Sequence, residues 1–228
     1  MVNGLYEDMR AGVARPIQRL ATPRAAVEFY APAPAALIDT LSIDPGIGAF
    51  WQYRQGNPQK SMLRSLAAAP DGYVTIAVAN GAIVGFVLLC QPGPSERWAD
   101  LPGVYELSIE VSRGWRELGI AHRLLRLTFA DPVWESRVVL AQGYHWHWDI
   151  EQTGLSVWNY RELYRRLFAT YGFAVFETDD PEIYFEKANI LMARMGTACT
   201  PHLRRGFYEG LYRTMRRPAW LEALLAAG

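Results

Sequence analysis

One segment of the chain, residues 104–129, combines residue types whose spacing could do chemistry. Val104–Val111 has the composition of a strand, Ser112–Leu118 is a polar loop, and Gly119–Phe129 has the apolar period of a helix. A turn between a strand and a helix leaves the first N–H groups of the helix without helical partners, and these groups favour an anion. Gly119 lets the backbone approach a ligand closely. The segment therefore predicts a pyrophosphate site.

Two carboxylates on the strand of this segment, Glu110 and Glu106, are candidates for a general base. Glu110 is the first choice, because a half-buried carboxylate at the end of the strand would have a raised pKa. Its alternative role is that of a solvated strand residue or a partner of Arg113. Glu106 is the second choice; in a regular strand it shares a face with Glu110, although a bulge would break that phase.

Aromatic and polar residues are concentrated in a second segment, Tyr144–Asp149. His145, His147 and Asp149 alternate, so on a strand they would share one face, and two histidines with a carboxylate can hold a metal ion. The favoured interpretation is instead a substrate groove with Trp146 and other tryptophans packed around it and the histidines at its rim. No metal is therefore predicted.

Two acidic residues, Asp179 and Asp180, follow a strand-like run and precede Pro181. Their carboxylates could bind the ammonium group of a ligand. They could equally form a turn or a helix cap before the proline, because aspartate favours both positions. The sequence leaves the two roles open.

Turn residues divide the chain into the elements that must position these groups. Asn80-Gly81 tolerates the positive φ values of a type I′ turn and predicts a hairpin. The predicted strands are Arg15–Leu20, Ala25–Tyr30, Tyr73–Ala79, Ala82–Cys90, Val104–Val111, Arg137–Gln142 and Phe173–Glu177. The predicted helices occupy most of residues 35–69 and Gly119–Phe129, Val157–Tyr171, Ala188–Met195 and 202–225, the last with a break at Pro218. Early hairpins followed by alternating strands and helices give an α/β (α+β) fold with a mixed central sheet flanked by helices.

The order of the later strands has two solutions. Either Arg137–Gln142 lies across the ligand cleft from Val104–Val111, or Phe173–Glu177 does. In the second case residues 137–171 form an insertion that could recognise a protein substrate. In both cases we expect a single domain over residues 1–228, with residues 1–14 flexible and residues 202–228 as a C-terminal helical extension.

Composition excludes several classes of protein. The chain has 228 residues, of which half are hydrophobic, so it can bury a sizeable core and is not disordered throughout. The 23 basic and 23 acidic residues give a net charge of zero, which argues against a dedicated nucleic-acid binder. Two cysteines are too few for a disulfide framework, and no signal peptide is visible. The longest apolar stretch, Ala82–Cys90, is too short to span a bilayer. We expect a cytoplasmic protein with neither a nucleic-acid nor a membrane partner.

The pattern Arg116-x-x-Gly119-x-Ala121 and the strand before it resemble the GNAT family of N-acetyltransferases. In that family the loop binds the pyrophosphate of acetyl-CoA, a role that the resemblance gives to Arg116, Glu117, Leu118, Gly119, Ile120 and Ala121. The preceding strand is splayed, and its backbone groups, here those of Ile109, Glu110 and Val111, pair with the pantetheine arm. Glu117 stands where many members have glycine. Asn189 resembles the asparagine of a late helix that approaches pantetheine.

The GNAT resemblance also implies the chemical roles. The acceptor amine attacks the thioester directly, with Glu110 or Glu106 as its base and no covalent cysteine. The backbone N–H of Val111 or of a neighbour is the expected donor to the oxyanion. Many members protonate the leaving thiolate with a tyrosine from the helix after the cofactor-binding unit, which makes Tyr160, Tyr164 and Tyr171 candidates.

A closer resemblance, over about residues 15–215, is to the AcuA-type group of this family. It is carried by Pro94–Trp98, Ile109–Ser112, Tyr144–Asp149, Leu155–Trp158, Thr178–Ile183 and Ala188–Met192. AcuA-type proteins acetylate the active-site lysine of acetyl-CoA synthetase, so the resemblance implies acetyl-CoA and that synthetase as partners. Within this interpretation His145, Trp146, Asp149 and Asp179 are expected to bind the protein substrate. A small-molecule amine acetyltransferase and a non-catalytic, acyl-CoA-responsive regulator are the alternatives.

Overall fold

A computed structural model describes residues 14–48, 58–215 and 217–226 of the chain. These residues fall into two compact units. The first holds residues 14–48, 58–88 and 109–124, and the second holds residues 89–108, 125–215 and 217–226. The expectation of one domain over residues 1–228 stays a prediction, and most of the predicted flexible segment 1–14 lies outside the described residues.

Strands of the first unit pair in the order β1-β2-β4-β5, with the short strand β3 parallel to β5. The elements are β1 (Gln18–Ala21), β2 (Ala26–Tyr30), α1 (Ala35–Thr40), β3 (Ser42–Ile43), α2 (Pro58–Ala68), β4 (Tyr73–Ala79) and β5 (Ala82–Cys90). The pairs β1–β2 and β2–β4 are antiparallel. The predicted strands Arg15–Leu20 and Ala25–Tyr30 correspond to the antiparallel pair β1 and β2, and the predicted bounds of β4 and β5 are confirmed. The helical prediction for residues 35–69 holds for α1 and α2, and its middle part, 49–57, lies outside the described residues.

The turn between β4 and β5 follows from its two residues. Asn80 and Gly81 have φ values of 50° and 74°, the left-handed pair that a type I′ turn requires. The two strands that they connect are buried along nearly their whole length. Their continuous apolar sequences are therefore typical of strands covered on both faces.

Strand β6 (Val104–Val111), the strand of segment 104–129, has the predicted bounds. The loop after it leads into helix α3 (Ile120–Thr128). Helix α3 lies close to β5 because Gly85 carries no side chain. A Cβ at Gly85 would stand 3.3 Å from Leu124 Cδ1 and 3.4 Å from Ile120 Cγ2, and 3.2 Å from the carbonyl oxygen of Glu110. Gly85 thus permits the close packing of the helix that begins at the loop.

In the second unit, the strand order is β6-β7-β9-β8. Its further elements are β7 (Val138–Gly143), α4 (Ile150–Thr153), α5 (Val157–Ala169), β8 (Ala174–Phe176), α6 (Pro181–Tyr184), β9 (Ile190–Met195), α7 (Pro201–Leu211) and α8 (Ala219–Ala226). Strands β6 and β7 are parallel, whereas β7–β9 and β8–β9 are antiparallel. Parallel and antiparallel pairs in each unit, with helices between the strands, confirm the mixed α/β fold class.

A hydrophobic core joins helix α7 to the strands of the second unit. Its members are Trp98, Val104, Val138, Leu140, Leu191, Ala193, Cys199, Leu203, Phe207 and Leu211. The indole of Trp98 stacks on Phe207 at 5.6 Å and donates its Nε1–H to the carbonyl of the same residue at 3.2 Å. Burial of this large apolar surface stabilises the unit.

The prediction of a helix over Ala188–Met195 is wrong, because Ile190–Met195 is strand β9. The run pairs with β7 on one side and β8 on the other, and its first four residues are buried. A short continuous apolar run cannot be assigned to helix or strand by its period, and here the pairing on both sides decides. Since β7 is the neighbour of β6 and β8 pairs with β9, the first of the two strand orders considered is correct. Within the described ranges, no helix has both the length and the apolar content needed to cross a membrane.

Candidate active site

The loop after β6 has a backbone suited to an anion. Arg113–Trp115 forms one turn of 3-10 helix, and Glu117 and Gly119 then take left-handed φ values of 63° and 74°. A Cβ at Gly119 would meet nothing within 4 Å, so the glycine is required by its backbone conformation, and open space lies beside it. Helix α3 begins at the next residue, and its first N–H groups have no acceptors within the helix.

The charges near this loop also favour an anion. Four arginines of the first unit stand in the loop or next to it: Arg24, Arg113, Arg116 and Arg123. Arg116 donates from Nε to the carbonyl of Val111 at 3.3 Å, which ties the loop to the end of β6. The carboxylate of Glu117, an exposed residue, is the exception in this basic setting. Arginine binds phosphate groups in a bidentate manner, so the loop and its cations fit the pyrophosphate of a nucleotide-like ligand.

Glu110, the first-choice base, is held by the backbone of a neighbouring turn. Its Oε1 accepts the N–H of Gly48 at 2.6 Å. The three residues predicted to pair with pantetheine, Ile109–Val111, are all half-buried. The contact with Gly48 orients the carboxylate toward the turn, and the role of Glu110 as a base stays a prediction.

Glu106, the second-choice base, stands where two strands stop pairing. The described register of β6 and β7 runs from Val104–Val138 to Glu106–Leu140, whereas β7 pairs with β9 along its whole length. The side chain of Glu106 is half-buried. Burial, followed by the negative charge of Glu96, raises the pKa of this carboxyl from 4.5 to about 7. A carboxylate with such a pKa is half ionised near neutral pH and can both take up and release a proton there.

Tyr144 follows β7 and belongs to the same electrostatic surroundings. Burial raises the pKa of its phenol well above the ordinary value, and the charges of Asp180, Glu182 and Glu106 add to that rise. The hydroxyl therefore stays protonated at neutral pH and can act as a donor. His147 has a lowered pKa because of burial, opposed by the charge of Glu182.

Asn189 joins two segments of the second unit. It is 2% exposed, its Oδ1 accepts the backbone N–H of His145 at 2.8 Å, and its Nδ2 donates to the carbonyl of Glu182 at 2.7 Å. His145 Nε2 also lies 3.8 Å from Glu186 Oε2. Asn189 thus fixes the turn that contains His145 against helix α6. The prediction that Asn189 contacts pantetheine assumed a helix at Ala188–Met195, but the structure has strand β9 there. The contact itself stays a prediction.

The structure does not place His145, His147 and Asp149 on one strand. His145–His147 is a turn of 3-10 helix, so the alternation in sequence does not produce a common face. Asp149 is 3% exposed and precedes helix α4, whereas Trp146 is 47% exposed and stacks on Tyr144 at 5.1 Å. Of the residues expected to bind substrate, Trp146 and His145 therefore lie where a partner could touch them.

The tryptophans expected around a substrate groove differ widely in exposure. Trp134 and Trp148 are buried, while Trp146 and Trp158 are exposed. Among the described residues, no group of three or more His, Cys, Asp and Glu side chains could hold a metal ion.

Asp179 is the centre of a buried ionic network. Its Oδ1 accepts from Arg97 Nη1 at 2.5 Å, and its Oδ2 accepts the N–H groups of Thr214 at 2.6 Å and Met215 at 2.8 Å. Burial opposes the ionised form, but these backbone N–H groups and Arg97 outweigh it and hold the pKa of Asp179 far below its ordinary value. Asp180 caps helix α6 by accepting the N–H of Glu182. The geometry therefore favours the structural role that the sequence left open for both aspartates.

The three tyrosines considered as proton donors lie in or just after helix α5, among aromatic neighbours. Tyr160 stacks on Trp148 at 5.2 Å, Tyr164 is 4.6 Å from the ring of Phe168, and Tyr171 is 6.4 Å from that of Phe129. Burial raises the pKa of Tyr164 and of Tyr171. Packing thus accounts for their positions, and their catalytic role stays a prediction.

Comparison with known proteins agrees with this geometry. Residues 44–130 match the acetyltransferase (GNAT) family. The acetoin utilization protein AcuA of Bacillus licheniformis is 36% identical over 147 residues, which cover 63% of this chain and 70% of the relative. The chain belongs to the GNAT family. AcuA of Bacillus subtilis is 35% identical over the same length. A crystal structure of an acetoin utilization protein from Exiguobacterium sibiricum has a TM-score of 0.81 at 35% identity, covering 86% of this chain and 93% of that chain.

Membership of the GNAT family makes the protein an N-acetyltransferase, and this family uses acetyl-CoA as its acetyl donor. The matched span contains strand β6, the loop and helix α3. The arginines, the left-handed residues Glu117 and Gly119 and the start of α3 fit the pyrophosphate of that donor.

Sequence reasoning missed two groups of residues in this GNAT protein. Asp44 lies in the stretch 35–69, to which the sequence assigns no functional residue, yet its carboxylate contacts the residues that lead into the loop. Arg97 was part of a quoted motif but had no role assigned, although it binds Asp179. Neither contact can be recognised from a local sequence pattern. Asp44 and Ser112 are 68 residues apart in the chain, and Arg97 and Asp179 are 82 residues apart.

Proposed function

We propose that this GNAT protein transfers the acetyl group of acetyl-CoA to a lysine side chain of a protein, with acetyl-CoA synthetase as the acceptor. The family and the acetyl donor rest on the comparisons, and the acceptor rests on the AcuA-type motifs and on similarity to proteins named for acetoin utilization. The observation that carries the chemistry is strand β6, which bears the carboxyls of Glu106 and Glu110 and runs directly into the anion-binding loop.

The acceptor amine must lose a proton before it attacks. We assign this step to Glu106, because its burial raises the pKa to about 7 and because it stands at the end of the β6–β7 ladder. The nitrogen forms a bond to the thioester carbon, the carbon–sulfur bond breaks, and the proton passes to the carboxylate. Glu110 is the alternative base; its carboxylate accepts the N–H of Gly48, which favours a role in holding the turn.

Charge on the carbonyl oxygen and on the leaving sulfur must also be stabilised. The backbone N–H of Val111 or of a neighbour is the proposed donor to the oxyanion. Tyr144 is the proposed hydrogen-bond donor to the leaving sulfur; its raised pKa keeps the phenol protonated but makes it a weak acid, so the thiolate takes its proton from water. Within the second unit it replaces the helix α5 tyrosines in this role.

For the protein substrate we retain His145 and Trp146 as contacts and leave out Asp149 and Asp179. Trp146 exposes about half of its surface, and His145 is anchored by Asn189, so both belong to a positioned, accessible segment. Asp179 is 1% exposed and already bound by Arg97 and three further donors on Thr214 and Met215. An ammonium group could reach it only by displacing these partners.

The test is the intact mass of purified acetyl-CoA synthetase after incubation with this protein and acetyl-CoA. We expect one added acetyl group, mapped to the catalytic lysine of the synthetase, with loss of ligase activity. Glu106→Gln should abolish most of the gain, and omission of acetyl-CoA should abolish all of it. Absence of any gain while acetyl-CoA still binds would refute the protein acceptor. Acetylation of free amines would then indicate a small-molecule acceptor, and inhibition of the synthetase without acetylation a binding regulator.

A further inference from the structure

A short turn of the first unit, Asp44–Gly48, is fastened to strand β5 at its start. The N–H of Asp44 donates to the carbonyl of Ile83 at 3.0 Å, which continues the parallel pairing of β3 with β5. The turn closes with a bond from the N–H of Ile47 to the carbonyl of Asp44 at 3.0 Å. The backbone of Asp44 is therefore a fixed point of the sheet and can position whatever its side chain holds.

The carboxylate of Asp44 holds the two residues that flank the entry to the pyrophosphate loop. Its Oδ1 accepts from Ser112 Oγ at 2.5 Å, and its Oδ2 accepts from Trp115 Nε1 at 3.1 Å. Ser112 is fully buried, Trp115 is 7% exposed and Asp44 is half-buried, so both bonds are partly shielded from bulk water. Bonds from such groups to a charged acceptor are stronger than neutral ones.

The same turn is packed against the loop without space to move. A Cβ at Gly46 would stand 2.4 Å from Ser112 Oγ and 2.9 Å from the nitrogen of Arg113. The N–H of Arg113 points to the carbonyl of Gly46 at 3.4 Å, and the N–H of Gly48 binds Glu110. Contacts along the turn thus reach from the end of β6 to Trp115.

A carboxylate near an anion site would repel the ligand unless its charge were neutralised. Burial of Asp44 opposes its ionised form, but the donors Ser112, Gly46 and Trp115, together with the charge of Arg24, lower its pKa below the ordinary value. Asp44 is therefore ionised at neutral pH with its charge directed to these donors. This arrangement explains how an acidic residue can support an anion site rather than oppose it.

We infer that Asp44 is a positioning residue for the pyrophosphate loop. By holding Ser112 and Trp115, Asp44 fixes both ends of the short segment that contains Arg113. Arg116 and the start of α3 follow this segment directly. The loop can therefore bind the ligand without rearranging. The inference rests on the binding of acetyl-CoA, not on the identity of the acceptor. Asp44 should therefore affect the binding of the part of acetyl-CoA that carries the phosphates.

Asp44→Asn tests this role, because asparagine keeps the shape but lacks the charge and one acceptor. We expect the Kd for CoA, measured by calorimetry, to rise about 10- to 100-fold. With acetyl-CoA as donor kcat/KM should fall to the same extent, while kcat at saturation should stay within about threefold. With S-acetylpantetheine, which lacks the pyrophosphate, kcat/KM should change by less than about threefold.

One further variant keeps the test decisive if Asp44→Asn does not fold. Trp115→Phe removes one of the two bonds and should raise the Kd for CoA about three- to tenfold. In the double variant the two effects should not add, because both substitutions break the same contact. Asp39→Asn is the matched control, since its exposed carboxylate pairs with Arg64 at 2.8 Å, and CoA binding should not change.

Two results would overturn the inference. An unchanged Kd for CoA in Asp44→Asn and Trp115→Phe would show that the contact does not position the loop. An equal loss with acetyl-CoA and S-acetylpantetheine would show a general disturbance of the fold. If wild-type protein fails to acetylate the synthetase but binds CoA, the calorimetric comparison is still valid, so failure of the proposed acceptor is recognised separately.

Discussion

Replacing Glu106 with glutamine should change activity and stability in opposite directions. Burial, and then the charge of Glu96, raise the pKa of Glu106 from 4.5 to about 7. One pKa unit corresponds to about 1.4 kcal/mol, so ionising this carboxyl costs up to about 3 kcal/mol more in the folded protein than in the unfolded chain. Because the side chain is half-buried, solvent screening places the measured cost below that bound.

The sign of the effect on stability follows from the raised pKa. Below about pH 4.5 both states hold the proton, and Glu106 brings no penalty. Between about pH 4.5 and about pH 7 the unfolded chain releases the proton while the folded state still holds it, so wild-type stability falls over this range; above about pH 7 both states are ionised and the penalty is complete. Glutamine does not ionise, so Glu106→Gln should be more stable than wild type at about pH 8, by up to about 3 kcal/mol or 5–10 °C in Tm, and equal to it at about pH 4.

Activity should respond the other way. Loss of a general base lowers the rate about 10²- to 10⁴-fold, and the rise in kcat through about pH 7 should disappear. The assay is release of the CoA thiol at saturating acetyl-CoA between about pH 5.5 and about pH 9. Deprotonation of the acceptor lysine adds a second rise at high pH that wild type and variant share, so the difference between the two profiles reports Glu106.

Glu110→Gln is the matched control, because it removes a carboxylate from the same strand. Our assignment would be refuted if Glu106→Gln kept the rate and the rise in kcat through about pH 7 while Glu110→Gln lost both. Glu110 would then be the base. Equal stability of Glu106→Gln and wild type at about pH 8 would refute the argument from burial, whatever the rates show.

Three further substitutions test other parts of the structure. Glu117→Gly removes a side chain from a residue at φ 63° and a negative charge from the anion loop. Its free energy of urea unfolding should change by less than about 1 kcal/mol, and its calorimetric affinity for CoA should rise; a clear loss of either would contradict this. Asp179→Asn leaves the charge of Arg97 with a weaker buried acceptor and should lower the free energy of unfolding by about 3–5 kcal/mol at neutral pH, whereas unchanged stability would show that the pair is dispensable. Gly210→Ala places a methyl group 2.1 Å from Trp98 Nε1 and should cost about 1–3 kcal/mol in thermal unfolding, and a stabilised variant would show that this contact is loose.

The early strands could be predicted from sequence because their signals are local. Asn80-Gly81 defines a turn by its own backbone preferences, and the bounds of β4 and β5 match the prediction to the residue. Strand β6 is predicted with the same accuracy, since a polar loop follows it directly. The loop itself was recognisable because Gly119 and the following helix have fixed spacing.

Strand β9 could not be predicted because its identity depends on its neighbours. Ile190–Met195 is short and lacks a polar face on either period, so its sequence suits a buried helix or a buried strand. Asn189 strengthened the wrong choice, because the family resemblance places an asparagine of this kind in a late helix. In the structure its amide instead joins the backbones of His145 and Glu182.

The candidate base shows the same limit at the level of the site. The sequence placed Glu106 and Glu110 on one strand and favoured Glu110 as the carboxyl with a raised pKa, whereas in the structure Glu106 has the raised pKa. Their surroundings come from elsewhere in the chain: the charge of Glu96 for Glu106, and the N–H of Gly48 for Glu110. Contacts between distant segments decide pKa values, and single-sequence periodicity carries no information about them.

The place of β9 between β7 and β8 has a consequence for how the protein is made on the ribosome. Strand β8 is synthesised before β9, its partner in the described sheet, so neither β7 nor β8 can complete its pairing until β9 has emerged. The network of Arg97 and Asp179 waits longer still, because Thr214 lies another 35 residues beyond Asp179. Folding of the second unit therefore waits for the synthesis of β9, and its ionic network waits for that of Thr214. A chain stalled before β9 would present open sheet edges and an Asp179 that lacks its Thr214 and Met215 donors, and we expect such a chain to be a substrate of chaperones and proteases.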